Sequence, residues 1–411
     1  MKKQWLGRAL AVAALALAPV GTVCARSVDL PAGTPLSVRL TTRVSSRLSH
    51  AGDAVAAILI APVEVDGRVV LPAGWTLHGV VQQAAKSRGR SSLRLDFSTL
   101  VDEDYVESPI ATRLVAVDNS RESVADDGRI VGFRPKRRLP SRLAAVLMLL
   151  AYEHPVGLAV FAAGRLALRA AQHSAIDYAP GVELSLALAA PLAVATDAGP
   201  SPTVEADASL SAFAQTVPFR TQAPQHHRDA DVTNLLLVGS QAEVEDAFVE
   251  AGWTRARPMG LRARLRGLLA LVLKHGYRPA SVSQLDLAGR PPDLVFEKQN
   301  NTLAKRHHIR MWQQQQDGGG TVWVGAATHD VGIAFNRSRR AFTHRIDPRI
   351  DAEREKIVND LQLTGEVSAA AFVTRPNSPQ LGRDPAGDPI ETDGRMAVVV
   401  LRSAPAVPRL Q

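Results

Sequence analysis

Strict alternation of apolar and polar side chains is the feature of this sequence that most restricts its fold. Leu36, Val38 and Leu40 alternate with polar or charged residues. A period of two places the apolar side chains on one side of an extended chain, which is typical of a strand with one buried face. The same period continues in shorter runs from Ser27 to about Asp104. The first part of the chain is therefore predicted to be built from β-strands.

A recurrent phrase marks the turns between these strands. Leu-Pro-Ala-Gly begins at Leu30 and again at Leu71, and a degenerate copy stands at 179–181. Proline fixes φ at the start of each copy and glycine supplies a positive φ, so each copy is predicted to be a turn. Asp66-Gly67 between two apolar runs is a hairpin signal. Many short strands joined in this way indicate a β-barrel or a sandwich.

These phrases give the region from about 26 to 195 a family resemblance. Together with the turn at 51–53 and the hairpin at 65–71, they make it similar to the periplasmic β-barrel domain of TrbI-like conjugation proteins. The resemblance implies a scaffold and assembly module without catalytic residues. The chain lacks the long proline-rich spacer of such proteins, so no role in conjugation is implied. We predict a β-barrel domain at 26–195.

The start of the chain has the three-part layout of a secretory signal. Basic residues precede an apolar core at 9–20 and a small-residue cleavage site at 23–25. We predict a signal peptide at 1–25 and a protein of the periplasm or cell envelope. Cys24 is the only cysteine, so cleavage would leave a mature chain without disulfides or thiolate chemistry.

One segment interrupts the predicted barrel. Two apolar stretches within 143–172, divided by a polar break and preceded by basic residues, are each too short to span a bilayer. We predict a helical insertion near 141–173. It is either a buried helical pair over the barrel mouth or a segment that dips into a membrane. Residues 196–227 show no sustained period and are predicted to be a linker, and 404–411 form a tail.

Beyond residue 228 the pattern mixes strands and helices. Residues 233–238 are typical of a buried strand, and Ser240 with Glu243 forms a capping box that opens a helix. A later helix is predicted to begin at Asp347 or Asp351. Further strands are expected at 293–298, 307–312, 321–335, 342–346, 366–373 and 396–401. The mixed order predicts an α+β domain at 228–403.

Separated phrases in this domain look like the C-terminal domain of the LssY family. They lie at 229–237, 251–253, 293–296, 307–310, 323–330, 343–347 and 392–395. The family often lies beside membrane-embedded phosphatase-like or DedA-like modules, and its own activity is unassigned. Here the barrel replaces the usual membrane module, so the resemblance does not imply a phosphatase.

Histidines and aspartates of the second domain are the candidates for chemistry. The set comprises His307, His308, His329, Asp330, His344 and Asp347. Imidazole and carboxylate groups are the ingredients of a metal site or of a general acid–base pair. In an extended strand His307 and His308 face opposite ways, so both cannot be ligands of one ion. The retained candidate catalytic residues are His308, His329, Asp330 and His344.

Three interpretations of this set stay open. The histidines anchor strand ends and the aspartates cap turns, or they form a metal or acid–base site, or Arg306, Arg310 and Arg345 bind an anion beside them. The sequence has no Gly-x-Ser-x-Gly elbow, phosphate-binding glycine loop or His-Glu-x-x-His pair. No enzyme class is indicated, no cofactor is expected, and no metal is identified.

Charge and composition narrow the partners. A net charge of +8, scattered basic residues and only 5% aromatic residues argue against nucleic acid. We expect a non-catalytic scaffold or binding module of the envelope, whose partner is an envelope protein or an anionic ligand. One alternative is a metal-assisted hydrolase acting on phosphate-containing or lipid-like envelope material. Another is a peripheral membrane protein held by 143–172 or by the basic amphipathic segment 261–275.

Overall fold

A computed structural model gives the fold of most of the chain. It describes residues 26–87, 90–133, 174–196, 207–223, 228–256, 285–302, 304–315, 321–336, 341–376, 378, 381–383 and 387–402. The predicted signal peptide, the helical insertion, segment 261–275 and the tail lie outside the described residues. Strands dominate the described part, which contains three short helices.

The chain up to residue 196 is all β in its described part. Its strands are β1 (Arg26–Leu30), β2 (Pro35–Leu40), β3 (Val44–Ser45), β4 (Ala54–Leu59), β5 (Val63–Val65), β6 (Arg68–Leu71), β7 (Thr76–Ser87), β8 (Arg90–Val101), β9 (Glu107–Pro109), β10 (Thr112–Val117), β11 (Ser123–Val124), β12 (Ile130–Val131), β13 (Asp177–Tyr178), β14 (Glu183–Leu188) and β15 (Leu192–Thr196). Because β1 pairs antiparallel with β15, the two ends of this region meet.

The main sheet of this region is nearly closed. Its strands follow the order β10-β14-β2-β4-β7-β8-β12-β11, and β9 also pairs with β8. Since β9 leads into β10 after two residues, the chain passes from β8 back to the opposite edge of the sheet, as barrel closure requires. The Thr112 hydroxyl donates to the Phe97 carbonyl at 2.9 Å and ties these edges together. A barrel-like sheet is confirmed.

The predicted turns are present at the expected residues. Gly33 and Gly74, in the two Leu-Pro-Ala-Gly phrases, have φ values of 91° and 101°, which glycine adopts without steric cost. Asp66 and Gly67 have φ values of 52° and 71° between β5 and β6. Two positive φ values are what a two-residue hairpin loop needs. Both predictions are confirmed.

The alternation in β2 gives the barrel a one-sided core. Leu36, Val38 and Leu40 are at most 2% exposed and pack with apolar residues of β4, β7, β8 and β14. Arg39 lies between them in sequence and points to the other face of the strand. That direction carries its guanidinium out of the barrel core and toward the second half of the chain.

The second half, from residue 207, combines one large sheet with three helices. The helices are α1 (Ala208–Thr216), α2 (Gln241–Glu250) and α3 (Ile350–Leu363), and the strands are β16 (Arg220–Ala223), β17 (Arg228–Val232), β18 (Leu235–Val238), β19 (Thr254–Arg255), β20 (Leu294–Lys298), β21 (Arg306–Gln315), β22 (Thr321–Asn336), β23 (Ala341–Ile346), β24 (Val367–Thr374), β25 (Leu381–Arg383), β26 (Pro389–Glu391) and β27 (Arg395–Leu401). Within the described ranges, no helix is long and apolar enough to cross a membrane.

This sheet is mixed and is covered on both faces. Its order is β19-β20-β21-β22-β18-β27-β24, with β23 added beside β22, and β18 runs parallel to β27. Phe248 of α2 and Leu361 of α3 share one buried apolar cluster with Trp323. Ala214 of α1 joins another cluster with Trp312. Because Trp312 lies opposite Val324 in the ladder, the two tryptophans are on opposite faces of the sheet.

Two details of the second half extend the sequence predictions. The capping box of Ser240 and Glu243 is present at the start of α2, as predicted. The predicted linker 196–227 contains α1 and β16, which its loop-like composition did not reveal. The Asp207 carboxylate accepts a hydrogen bond from the Ser209 amide at 2.8 Å, and an aspartate at this position is a strong helix start signal.

Gly79 in β7 is a position where the barrel has no room for a side chain. A Cβ atom there would lie 1.9 Å from the carbonyl oxygen of Asp96 in β8. We expect Gly79→Ala to lower the free energy of unfolding by about 3 kcal/mol, measured by urea denaturation of the full chain. Gly332→Ala is the matched control, since a Cβ there meets nothing within 4 Å. Equal losses in the two variants would contradict this account of the barrel.

Candidate functional site

The antiparallel pair of β21 and β22 determines which predicted side chains meet. His307 lies opposite His329, and His308 lies opposite Thr328. Directly opposed residues share a face and successive residues alternate, so His308 and His329 are on different faces of the sheet. The prediction that His307 and His308 face opposite ways is confirmed. The partner of His329 is therefore His307, which the set of retained candidates omitted.

A histidine cluster, defined as Asp118, Asn119, His307, His329 and Glu353, lies where the barrel meets the second half. The two imidazole rings stack with centroids 4.1 Å apart and planes inclined by 25°. The Nδ1 atom of His307 is 2.6 Å from the Glu353 carboxylate of α3. Its Nε2 atom is 2.9 Å from the Asp118 carboxylate, in the loop after β10. Two carboxylates from distant parts of the chain therefore hold one ring.

These contacts set the charge of each group. Burial favours the neutral form of His307, but Glu353 and Asp118 outweigh it and raise the pKa of His307 to about 10. Burial likewise opposes ionisation of Asp118, yet the charge of His307 and its hydrogen bond lower the pKa of this carboxyl group. Burial and then the charge of His307 lower the pKa of His329 to about 4. At pH 7 the pair is one imidazolium beside one neutral imidazole.

The barrel loop that carries Asp118 is held by the second half. Asn119 has a φ of 50°, a conformation that asparagine adopts more readily than most residues, and its Oδ1 atom is 2.9 Å from Nε2 of His329. The Asn300 side chain donates to the Asp118 carbonyl at 3.1 Å. The Arg121 amide donates to Asn301 Oδ1 at 2.9 Å. Backbone and side chains of this loop are therefore both fixed across the junction.

A second group of charges, the junction ion cluster, adjoins the first. It consists of Arg39, Glu183, Lys298, Lys356 and Asp360. Glu183 pairs with Arg39 at 3.0 Å, with Lys298 at 2.6 Å and with Lys356. Asp360 pairs with Arg39 at 2.6 Å and with Lys298 at 3.0 Å. Since Arg39 and Glu183 belong to the barrel and the other three to the second half, three ion pairs of this cluster cross the junction.

The junction ion cluster is buried, which makes its pairing essential. The side chains of Glu183 and Asp360 are 7% and 1% exposed. Burial raises the pKa of Glu183, but Lys356, Lys298 and Arg39 together hold it well below its usual range. In contrast, each apolar cluster of the described residues contains side chains from one half only. Directional polar contacts, rather than a shared apolar core, therefore connect the two halves.

His308 and Asp330 belong to a separate polar cluster on the opposite face of the sheet. Asp330 accepts a hydrogen bond from Arg306 at 3.2 Å. Because it lies inside β22 and not at an end of that strand, it does not cap a turn as the first interpretation proposed. The Nε2 atom of His308 is 2.7 Å from the Thr328 hydroxyl. The Nδ1 atom of His308 lies 3.6 Å from Asp330. His308 and Asp330 therefore lie close together, on the face of the sheet opposite to His329.

Two of the three arginines of the anion-binding interpretation are buried in ion pairs. Arg306 pairs with Asp330, and Arg310 pairs with Asp231 at 2.7 Å. Arg345 is 60% exposed and lies 4.0 Å from Asp388. Carboxylates of the chain thus hold the guanidinium groups of Arg306 and Arg310, whereas that of Arg345 is largely open to solvent.

The last two residues of the set lie within β23 and just after it. The Asp347 amide donates to the His329 carbonyl at 2.8 Å, so Asp347 follows β23 next to the histidine cluster. His344 is opposite Ile333 in the ladder, and its side chain lies outside the described residues. The Asp347 carboxylate accepts a hydrogen bond from the Arg349 amide at 3.0 Å. This contact is a turn cap of the kind that the first interpretation predicted for Asp347.

The sequence analysis did not single out several residues of the two clusters, although the sequence of α3 contains a pattern that points to two of them. Ile350, Ile357 and Leu361 form its buried stripe, and Glu353 and Asp360 are buried with them. Charged residues at the apolar positions of a helix indicate buried ionic partners. The barrel residues gave no such signal, because Asp118 and His307 are separated by 189 positions.

Comparison with known proteins supports the predicted resemblance of the second half. Residues 214–396 match the model of a family described as LssY C-terminus. No curated protein matches the chain. A solved structure titled "Structure of ComB10 of the Com Type IV secretion system of Helicobacter pylori" is similar at 11% identity and a TM-score of 0.24, covering 43% of this chain and 97% of that one. So low a score is no basis for transferring fold or role, and the TrbI-like resemblance stays a prediction.

Removal of one buried charge tests the junction ion cluster. We expect Glu183→Gln to lower the free energy of unfolding by about 3–5 kcal/mol, because its cations then share one carboxylate, that of Asp360. Urea denaturation of the full chain measures the loss. The matched control is Glu245→Gln, whose pair with Arg255 is 28% and 50% exposed and should contribute less than about 1 kcal/mol. A loss for Glu183→Gln as small as that of the control would contradict the assignment.

Acid should weaken the same cluster. Because the pKa of Glu183 is lower in the folded chain than in the unfolded chain, its contribution is complete above about pH 5 and is lost as the pH falls toward the folded value. We expect the free energy of unfolding to fall more steeply between about pH 5 and pH 3 in the wild type than in Glu183→Gln. Parallel pH profiles of the two proteins would show that Glu183 is not held as an anion.

Proposed function

We propose that the protein is an exported protein of the cell envelope that acts as a non-catalytic scaffold and binds a partner protein at the junction of its two halves. In this proposal the second half is an α+β domain, and the barrel carries the predicted helical insertion. The predicted signal peptide at 1–25 supports export. The match of 214–396 to the LssY C-terminus family supplies no activity of its own.

The observation that carries the proposal is the set of buried bonds that cross the junction. Asp118 with His307, Glu183 with Lys298, and Arg39 with Asp360 each join one half to the other. Charge-assisted hydrogen bonds have strict geometry, so these pairs favour one relative orientation of the halves. A fixed orientation is what a scaffold needs, and the imidazole and carboxylate groups involved are used for attachment.

A cleft at this junction is the surface where we place the partner. It has a volume of about 490 Å³, within the range of ligand sites in proteins. The barrel contributes Arg39, Asp118 and the turn at 179–183, while the second half contributes 250–252 and 297–300. Both halves must therefore be in place for the cleft to exist.

The lining of the cleft favours a polar protein segment over an anionic ligand. Its lining cations Arg39 and Lys298 already pair with Glu183 and Asp360, so neither is available to hold an anion. Glu250 also lines the cleft and is exposed, and its carboxylate would complement a basic side chain of a protein segment. Among the two partner classes predicted from the sequence, we therefore propose the envelope protein.

The two alternative functions have less support. A metal-assisted hydrolase using His308, His329, Asp330 and His344 would need these groups on one side of the sheet. The ladder places His308 and His329 on different faces. A peripheral membrane protein would depend on 143–172 or 261–275, which lie outside the described residues.

Photo-crosslinking from the cleft tests the proposal. The full chain, with its own first residues, would be produced in a bacterium that has a periplasm, with p-benzoylphenylalanine in place of Glu250. We expect irradiation to give a discrete adduct with an envelope protein, because Glu250 lines the cleft. The same amino acid in place of Tyr105, which is 87% exposed and does not line the cleft, is the control.

The two positions must differ for the proposal to stand. An adduct from position 250 that is absent from position 105 supports a cleft-specific partner. No adduct from position 250, the same adducts from both positions, or recovery of the chain only from the cytosol would overturn it.

A further inference from the structure

The histidine cluster brings together side chains of the kinds that bind transition metals. One oxygen of Asp118 and one nitrogen each of His307 and His329 lie within 4.8 Å of one another. Around a tetrahedral ion with bonds of about 2.1 Å, neighbouring ligand atoms are about 3.4 Å apart. A contraction of this cluster together with a turn of the His329 ring would therefore give three ligands to one ion.

From this geometry we propose that Asp118, His307 and His329 bind one divalent transition-metal ion, of which Zn²⁺ is the representative. Imidazole nitrogen suits zinc, copper, nickel and iron. Calcium and magnesium are less suitable, because they take oxygen ligands. The site differs from the predicted candidate set, which contained His308, Asp330 and His344 in place of Asp118 and His307.

Glu353 has the position of a supporting residue for such an ion. Its carboxylate lies 2.6 Å from Nδ1 of His307, and the Nε2 atom of the same ring faces Asp118. Metal-binding histidines commonly donate their second ring N–H to a carboxylate, which fixes the ring and its tautomer. With the ion bound, Glu353 accepts from Nδ1–H while Nε2 of His307 binds the metal.

Burial would shield an ion at this site from water, since the side chains of Glu353 and His307 are 3% and 5% exposed. Both ring nitrogens of His307 face carboxylates, so binding of the ion at Nε2 releases one proton from this ring to solvent.

Coordination requires one rearrangement of the side chains. The rings of His307 and His329 are stacked 25° from parallel, so their nitrogen lone pairs do not yet converge. His329 must turn out of the stack and exchange its 2.9 Å contact with Asn119 Oδ1 for a bond to the metal. Because Asn119 Oδ1 accepts from Nε2–H of His329, this ring must carry its proton on Nδ1 when Nε2 binds the metal.

The proposed ion would connect the two halves of the protein. Asp118 belongs to the loop after β10 of the barrel, whereas His307 and His329 belong to β21 and β22. The inference adds to the proposed scaffold function but does not depend on the partner of the cleft. Failure of the crosslinking experiment and failure of metal binding are therefore separate outcomes.

Calorimetric titration with Zn²⁺ tests this site directly. The full chain, purified and dialysed against a chelator that is then removed, should bind one Zn²⁺ per chain, and its melting temperature should rise with the ion. We expect Asp118→Asn and His329→Gln each to weaken the measured affinity at least about 100-fold, and Glu353→Gln by about 10–100-fold. Circular dichroism of each variant establishes that it is folded.

His308→Gln is the matched control for these variants. His308 is buried like His307, at 4% exposure for each, but it lies on the other face of the sheet. Its loss should leave the affinity within about threefold of the wild type, since no ligand of the ion is removed. His78→Gln, at an exposed strand position, replaces this control if His308→Gln does not fold.

The wild-type titration decides the proposal even without variants. Absence of a bound Zn²⁺ in the folded wild-type chain would overturn it. Binding that survives in both Asp118→Asn and His329→Gln would also overturn it, because the ion would then lie elsewhere.

Discussion

The fold depends on one physical constraint, namely that charges buried between the barrel and the second half must all be paired. His307 lies between Asp118 of the barrel and Glu353 of α3. Glu183 of the barrel forms ion pairs with three cations, of which Lys298 and Lys356 belong to the second half. Isolated buried charges cost several kcal/mol each, so such groups are tolerated only in a specific geometry. A change in the relative position of the two halves would leave these charges without partners.

The same need for pairing is seen in the polar side chains of β21 and β22, which bond to other side chains of the protein. The strand pair β21–β22 sends alternate side chains to two faces, and each face has its own polar cluster. His308 and Asp330 bond within one cluster, and His307 and His329 stack in the other. The second cluster reaches the barrel through Asp118 and Asn119, so the proposed metal ion would lie where the two halves meet.

Local patterns in the sequence predicted local structure well. The alternation at Leu36, Val38 and Leu40 yields a buried strand face, and Ser240 with Glu243 forms its capping box. These predictions succeed because a strand face or a helix start depends on residues a few positions apart. The candidate site depends on contacts such as Asp118 with His307, 189 positions apart, which no period or cap encodes.

The most direct measurement of the central claim is the coupling free energy between Arg39 of the barrel and Asp360 of α3. A double-mutant cycle with Arg39→Met and Asp360→Asn, measured by denaturation of the full chain, gives this quantity. If the buried pair holds the halves together, the coupling should be at least about 1 kcal/mol. A coupling of zero would mean that the two halves do not stabilise each other through these charges.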